Sequence, residues 1–166
     1  MAIQPRKVYR VLVYTVGAVA AVGAVYILFR YRTEKVPAGY TCLSPEVEPG
    51  STVLVDRLFD LSGELAVGQM VRFRLARGGE SVPRYGRVAA VPGTRMELRD
   101  GGFLLDGVDR GFPTPRGVTL PGEVSEGEVL LAYNAAITED GGGTLETALV
   151  REDDVECRVL MALWRR

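Results

Sequence analysis

The chain has 166 residues and a mass of 18.0 kDa, room for one domain with a small addition and too little for two ordinary domains. Hydrophobic residues make up 47% and charged residues 25%, with only 9 prolines, which excludes a disordered or collagen-like chain. The net charge of −1 conceals a split: residues 1–35 carry six Lys/Arg and one Glu (+5), and residues 36–166 carry 14 Arg and 20 Asp/Glu (−6), so the acidic body argues against a nucleic-acid partner.

Residues 1–10 form a short basic flank with Arg6, Lys7 and Arg10. Residues 11–29 (VLVYTVGAVAAVGAVYILF) are uncharged and mostly apolar, and at about 1.5 Å per residue they nearly cross a ~30 Å hydrocarbon layer. The segment therefore reads as a transmembrane helix in contact with lipid. A secretory signal peptide is the competing reading, but its apolar region is usually shorter and ends at a small-residue cleavage site, whereas Arg30, Tyr31, Arg32 and Lys35 follow here. Basic residues on both flanks lean only slightly towards the N-terminus inside. Gly17/Ala21 and Ala20/Ala24 repeat small residues at i, i+4, which suits either close helix pairing or a plain apolar filler.

Residues 30–40 read as a linker, and from residue 41 to 166 the pattern becomes short apolar segments between Gly/Pro turns, the habit of a mainly β fold. The expected strands are Ser51–Arg57, Gln69–Leu75, Tyr85–Val91, Arg95–Leu98, Phe103–Leu105, Glu128–Tyr133 and Val155–Leu163. Turns are expected at Pro49-Gly50, Arg77-Gly78-Gly79, Pro92-Gly93, Asp100-Gly101-Gly102, Asp106-Gly107, Pro113 to Gly117, Pro121-Gly122 and Gly141-Gly142-Gly143. Ile137 to Thr144 reads as a flexible polar loop. Cys42 and Cys157 are far apart in sequence, and both a bridge and two free thiols are open.

Chemistry is scarce. Histidine is absent and the lysines are Lys7 and Lys35 alone, which removes most of the usual general bases. No ligand-like spacing supports a metal, and the acidic run Glu152-Asp153-Asp154 lacks the alternating oxygen ligands of a calcium loop. No phosphate-cradling glycine motif is present, so no cofactor is expected.

The stretch from Cys42 to Arg57 (CLSPEVEPGSTVLVDR) resembles the first sequence box of type I signal peptidases, Ser-Met-x-Pro-Thr-Leu-x-x-Gly-Asp followed by a Val/Leu-rich strand. Further blocks follow in the family's order. Val67 to Phe73 is similar to Arg-Gly-Asp-Val-Val-x-Phe, and Arg84 to Gly93 to Tyr-Val-Lys-Arg-Val-x-Gly-Leu-Pro-Gly. Phe103 to Gly107 resembles the strand ending in Asn-Gly, Gly127 to Asn134 the strand leading into Gly-Asp-Asn, and Val150 with Asp154 to Val159 the closing strand.

The resemblance implies a signal-peptidase-like β body with one N-terminal transmembrane helix. It also implies a body on the extracytoplasmic, periplasmic side of a cytoplasmic or inner membrane, with a groove where an extended peptide adds as a strand. In that family a serine attacks the scissile carbonyl and a buried, neutral lysine takes its proton. The matching positions here are Cys42 for the nucleophile and Gly86 for the lysine, and glycine cannot accept a proton. Arg84 and Arg87 flank the position but stay protonated. Lys35 follows the helix and is expected at headgroup level. Ser44, a displaced alternative nucleophile, and Pro45, Arg84, Arg87 and Asn134 are the remaining groove and support candidates. Tyr133 and Ala135 stand where the family has Asp and Arg, Leu145 where it has a structural arginine, and Ser51 and Gln69 replace turn aspartates.

The expectation is a membrane-anchored, catalytically inactive pseudoenzyme that acts as an accessory or scaffolding subunit of a larger membrane assembly. The alternative is an atypical thiol-type membrane peptidase using Cys42, whose free thiol, with a pKa of about 8.5, is a few per cent ionised at neutral pH. An arginine beside Cys42 favours this alternative. A third reading keeps peptide binding in the groove without cleavage.

Overall fold

The computed structural model describes residues 5–58, 65–77, 80–99, 102–115, 120, 122–137 and 143–164. Helix α1 spans Pro5–Arg30, and its apolar stretch Leu12–Arg30 (19 residues, mean hydropathy 2.2) has no buried residue. By length and composition it can cross a membrane, a description that a signal sequence near an N-terminus also meets.

The body that follows is mainly β. Strands β1 (Tyr31–Lys35), β2 (Thr52–Asp56), β3 (Met70–Arg77), β4 (Glu80–Ala90), β5 (Arg95–Arg99), β6 (Gly102–Leu105), β7 (Val108–Asp109), β8 (Gly122–Glu123), β9 (Glu128–Ile137), β10 (Gly143–Arg151) and β11 (Val155–Trp164) form two antiparallel sheets. The larger has the order β1-β2-β11-β3-β4-β9-β10, and the smaller β7-β6-β5-β8. Short 3-10 turns cover Thr41–Leu43 and Glu152–Asp154.

All the expected strands form, within a few residues at each end. The linker expectation for residues 30–40 needs correction, because Tyr31–Lys35 is an edge strand paired with β2 from Tyr31↔Asp56 to Lys35↔Thr52. An edge strand is ordered by backbone pairing on one side and needs no apolar alternation, so its charged sequence hid it. Lys35 accordingly sits at the far end of β1 rather than where the chain leaves α1. The loop expected over Ile137 to Thr144 is also cut back, since Ile137 closes β9 and Gly143–Arg151 is β10, with residues 138–142 outside the described set. The expected turns at Gly78-Gly79, Asp100-Gly101, Arg116-Gly117 and Pro121 fall at least partly on residues outside that set. At Asp106-Gly107 both residues have positive φ (51° and 75°), the two-residue hairpin turn whose twist matches the flanking strands.

Strand β9 explains how the sheets stack. Val129, Leu131 and Tyr133 point into one core cluster with Val71, Phe73, Val88, Val150 and Val155. Leu130 and Ala132 point the other way, against Met96, Phe103, Leu105 and Val124 of the smaller sheet and its flanks. Apolar cover on both faces is what permits its unbroken Val-Leu-Leu-Ala-Tyr run. A third cluster, Val36, Tyr40, Leu43, Val47, Val53, Val55, Tyr85, Cys157 and Val159, seats the segment between β1 and β2 on the sheet.

No residue separates α1 from β1, and one ion pair fixes the joint. Arg30 Nε lies 3.1 Å from both carboxylate oxygens of Asp56 and its Nη2 lies 2.7 Å from Oδ2, while the Arg57 N–H donates to the Arg30 carbonyl at 2.9 Å. Arg158 adds a second guanidinium 3.8 Å from Asp56. Burial pushes the Asp56 carboxyl up, but the hydrogen bonds from Arg30 and the Leu58 amide and the charges of Arg30 and Arg158 outweigh it and hold the group below the usual carboxylate range. With a depressed folded pKa, this stabilisation is complete above the unfolded carboxylate range and is lost as pH falls through the folded value. Asp56→Asn is therefore expected to lower the melting temperature of the detergent-solubilised protein by several degrees at pH 7. The difference from wild type should shrink as the pH drops below about 4, a trend that thermal unfolding across pH measures directly.

Candidate functional site

The turn Thr41–Leu43 lies where β4 and β9 part. Their ladder begins at Gly86↔Tyr133, and before that point β4 pairs only with β3 among the described residues. Pro83, which lacks an N–H, sits in this singly paired stretch, as a proline in a strand must. The turn bridges the gap. Cys42 N–H donates to Asn134 Oδ1 on β9 at 2.9 Å, and the Cys42 thiol lies 3.7 Å from the Tyr85 carbonyl on β4.

Asn134 is fully buried and acts as a two-handed clamp, its Nδ2 donating to Thr41 Oγ1 at 3.1 Å. Arg87 holds the same turn from β4. Its Nε donates to the Cys42 carbonyl (3.3 Å), and its Nη2 to the carbonyls of Leu43 (3.2 Å) and Ser44 (3.4 Å). The guanidinium also reaches the Gly68 carbonyl at 3.2 Å and pairs with Glu46 at 2.5 Å. Arg87 is thus a structural clasp, and it holds the Glu46 carboxyl below its usual range, chiefly through the side-chain hydrogen bond.

The structure brings Cys42, Ser44, Arg87 and Asn134 together and leaves Arg84 apart. Strand alternation puts Arg84 on the opposite face from Arg87, and it makes no hydrogen bond or ion pair with Cys42. Ser44 is exposed at the end of the turn, its amide donating to the Thr41 carbonyl at 3.1 Å, and the Ser44–Pro45 peptide is cis, with Pro45 exposed.

Gly86 is buried in the middle of the sheet. A Cβ built there meets the Ala132 carbonyl oxygen at 2.8 Å, Phe73 Cε1 at 2.9 Å and Tyr133 Cβ at 3.3 Å. The Phe73 and Tyr133 rings pack edge to face, with centroids 5.6 Å apart, beside the glycine. Residue 86 therefore has no room for a longer side chain without a shift of its neighbours.

Cys42 is half-buried, and burial is the largest influence on its thiol, pushing it up to about 11 against weaker lowering by the Asn134 and Cys42 backbone and by the Arg87 charge. The arginine is present, as the thiol reading asked, but it does not offset desolvation. A thiol with that pKa is ionised to about one part in ten thousand at pH 7. An oxyanion developing at Cys42 would need free N–H donors, and the Cys42 N–H is already committed to Asn134. Cys157 is buried, also pushed up to about 11 by burial, and both cysteines are free thiols. Among the described residues no three His, Cys, Asp or Glu side chains converge as a metal site.

Sequence reasoning did not single out Phe73, Glu46 or Thr41 for this site. Phe73 lies inside the expected strand Gln69–Leu75, and its approach to Gly86 depends on the β3–β4 register, which no local signal carries. The chain matches no protein-family model and no curated protein.

Gly86→Ala is expected to destabilise the protein by about 1–3 kcal/mol in chemical denaturation, and adding Phe73→Leu, which withdraws the Cε1 contact, should recover part of that loss. The rate of Cys42 alkylation should still be climbing at pH 10, with its midpoint near pH 11 rather than near that of an ordinary thiol. Mass spectrometry of the labelled peptide resolves it from Cys157.

Proposed function

We propose that this chain is a membrane-anchored, catalytically silent protein of signal-peptidase-like descent that serves as an accessory or scaffolding subunit of a larger membrane assembly. The observation that carries this reading is that residue 86, the position the resemblance gives to the base, is a glycine whose side-chain space is already filled by Phe73, Tyr133 and the Ala132 carbonyl. The commitment of the Cys42 N–H to Asn134 and the raised Cys42 thiol support it, because each removes a requirement of acyl transfer while leaving the turn well held.

The singly paired stretch of β4 before Gly86 favours a specific way of scaffolding. Its outer edge offers backbone groups to an extended segment of a partner, which would add as a strand beside the Cys42 turn. A thiol peptidase would need Cys42 ionised near neutral pH, and its burial works against that.

Extraction of the native protein in mild detergent tests the reading. The expected result is a fixed stoichiometry with a larger membrane assembly, together with no cleavage of exported-precursor peptides by the purified wild type. Recovery of a free monomer that cleaves such peptides, with cleavage abolished by Cys42→Ala, would overturn it.

A further inference from the structure

The joint between α1 and the body carries a charge arrangement that the body's own ion pairs do not absorb. Arg30 is the last residue of the apolar helix, and the Arg57 N–H to Arg30 carbonyl bond continues the β1–β2 register, so Arg57 stands at the level where the chain leaves the span. Arg32 lies opposite Val55 on β2, and Arg57 is the first residue past the end of β2. The Arg57 N–H bond to the Arg30 carbonyl sets Arg57 one step past the Tyr31↔Asp56 pair, so its backbone lies diagonally across from Arg32, within about 8 Å at Cα.

Both are exposed, and neither makes an ion pair with a described carboxylate. The acidic groups at this joint are already engaged, since Asp56 is held by Arg30 and Arg158, and Glu34 by Arg72 and the Tyr85 hydroxyl. Two like charges side by side on a strand pair repel unless an anion sits between them. The surrounding side chains are those of a bilayer interface. The Arg30 guanidinium lies 5.4 Å from the centroid of the Tyr31 ring, and Leu58, directly after Arg57, is 55% exposed.

We infer that Arg32 and Arg57 together bind the headgroup phosphate of an anionic phospholipid in the leaflet on the body's side, with Leu58 against the acyl boundary. This rests on α1 spanning the bilayer. The body otherwise carries a net negative charge, which an anionic surface repels, so the pair is a local positive notch for it. Phosphate suits guanidinium pairs because the planar fork donates to two oxygens at once.

The test uses the full chain, purified with mixed phosphatidylglycerol and phosphatidylcholine at equal amounts, and retained lipid read by native mass spectrometry. Wild type is expected to retain phosphatidylglycerol about fivefold or more over phosphatidylcholine, and the Arg32→Gln/Arg57→Gln double variant to lose that preference, while Arg84→Gln keeps it. Equal retention of the two lipids by wild type, or an unchanged preference in the double variant, would overturn the site. Inorganic phosphate alone should leave the wild-type melting temperature unchanged, and stabilisation by it would overturn the headgroup assignment in favour of a soluble anion. Alkaline carbonate extraction reports separately on the anchor: release from membranes overturns the spanning reading and the inference with it, whereas retention with no lipid preference overturns the inference alone.

Discussion

At residue 86 the sheet has no room for a side chain, and much of the site follows from that. A glycine there lets Phe73 approach from β3 and lets Tyr133 stand directly opposite on β9, so that two rings pack edge to face where a longer residue would have projected. Close packing of this kind resists change from either side, because adding atoms at Gly86 strains a backbone carbonyl and removing them from Phe73 leaves a void. What lies outside that packing is the Cys42 turn, and it is held by polar groups instead. Asn134 takes its amide and Arg87 takes its carbonyls. The same groups that hold the turn in place occupy the backbone positions that nucleophilic chemistry would require.

The joint between α1 and β1 is the second constraint. A nearly buried aspartate with two arginines around it couples the helix to the first strands without a flexible connection. Removing one partner from such a cluster leaves uncompensated charge, which is why the joint is expected to act as a unit rather than as a hinge. The apolar helix, the charged joint and the acidic body then form a graded series along the chain, in keeping with the proposed role of an anchored protein that presents its sheet at a fixed height.

The sequence was informative where side-chain pattern and backbone structure coincide. Alternation of Val71, Phe73 and Leu75, and the apolar runs at Val53 to Val55 and Val129 to Tyr133, located central strands because burial dictates their side chains. Strand β1 was invisible, since Tyr-Arg-Thr-Glu-Lys is ordered by pairing and by ion pairs with residues distant in sequence. Strand β10 was obscured by its opening Gly-Thr and by Glu146, whose polar character masked the alternation. At the site, the glycine at 86 could be read from the sequence, but whether Arg84 or Arg87 sits beside Cys42 could not. That Arg87 serves backbone carbonyls, that Asn134 takes the Cys42 amide and that Phe73 fills the gap all depend on sheet register, a long-range property that no local pattern encodes.

The central proposal is that Cys42 does not act as a nucleophile. Its most direct test is incubation of the full-length protein at pH 7.5 with a peptidyl vinyl sulfone bearing small residues next to the warhead, followed by intact-mass measurement. The expected result is an unmodified chain under conditions that label a working thiol protease to completion. Stoichiometric modification confined to Cys42 would contradict the account.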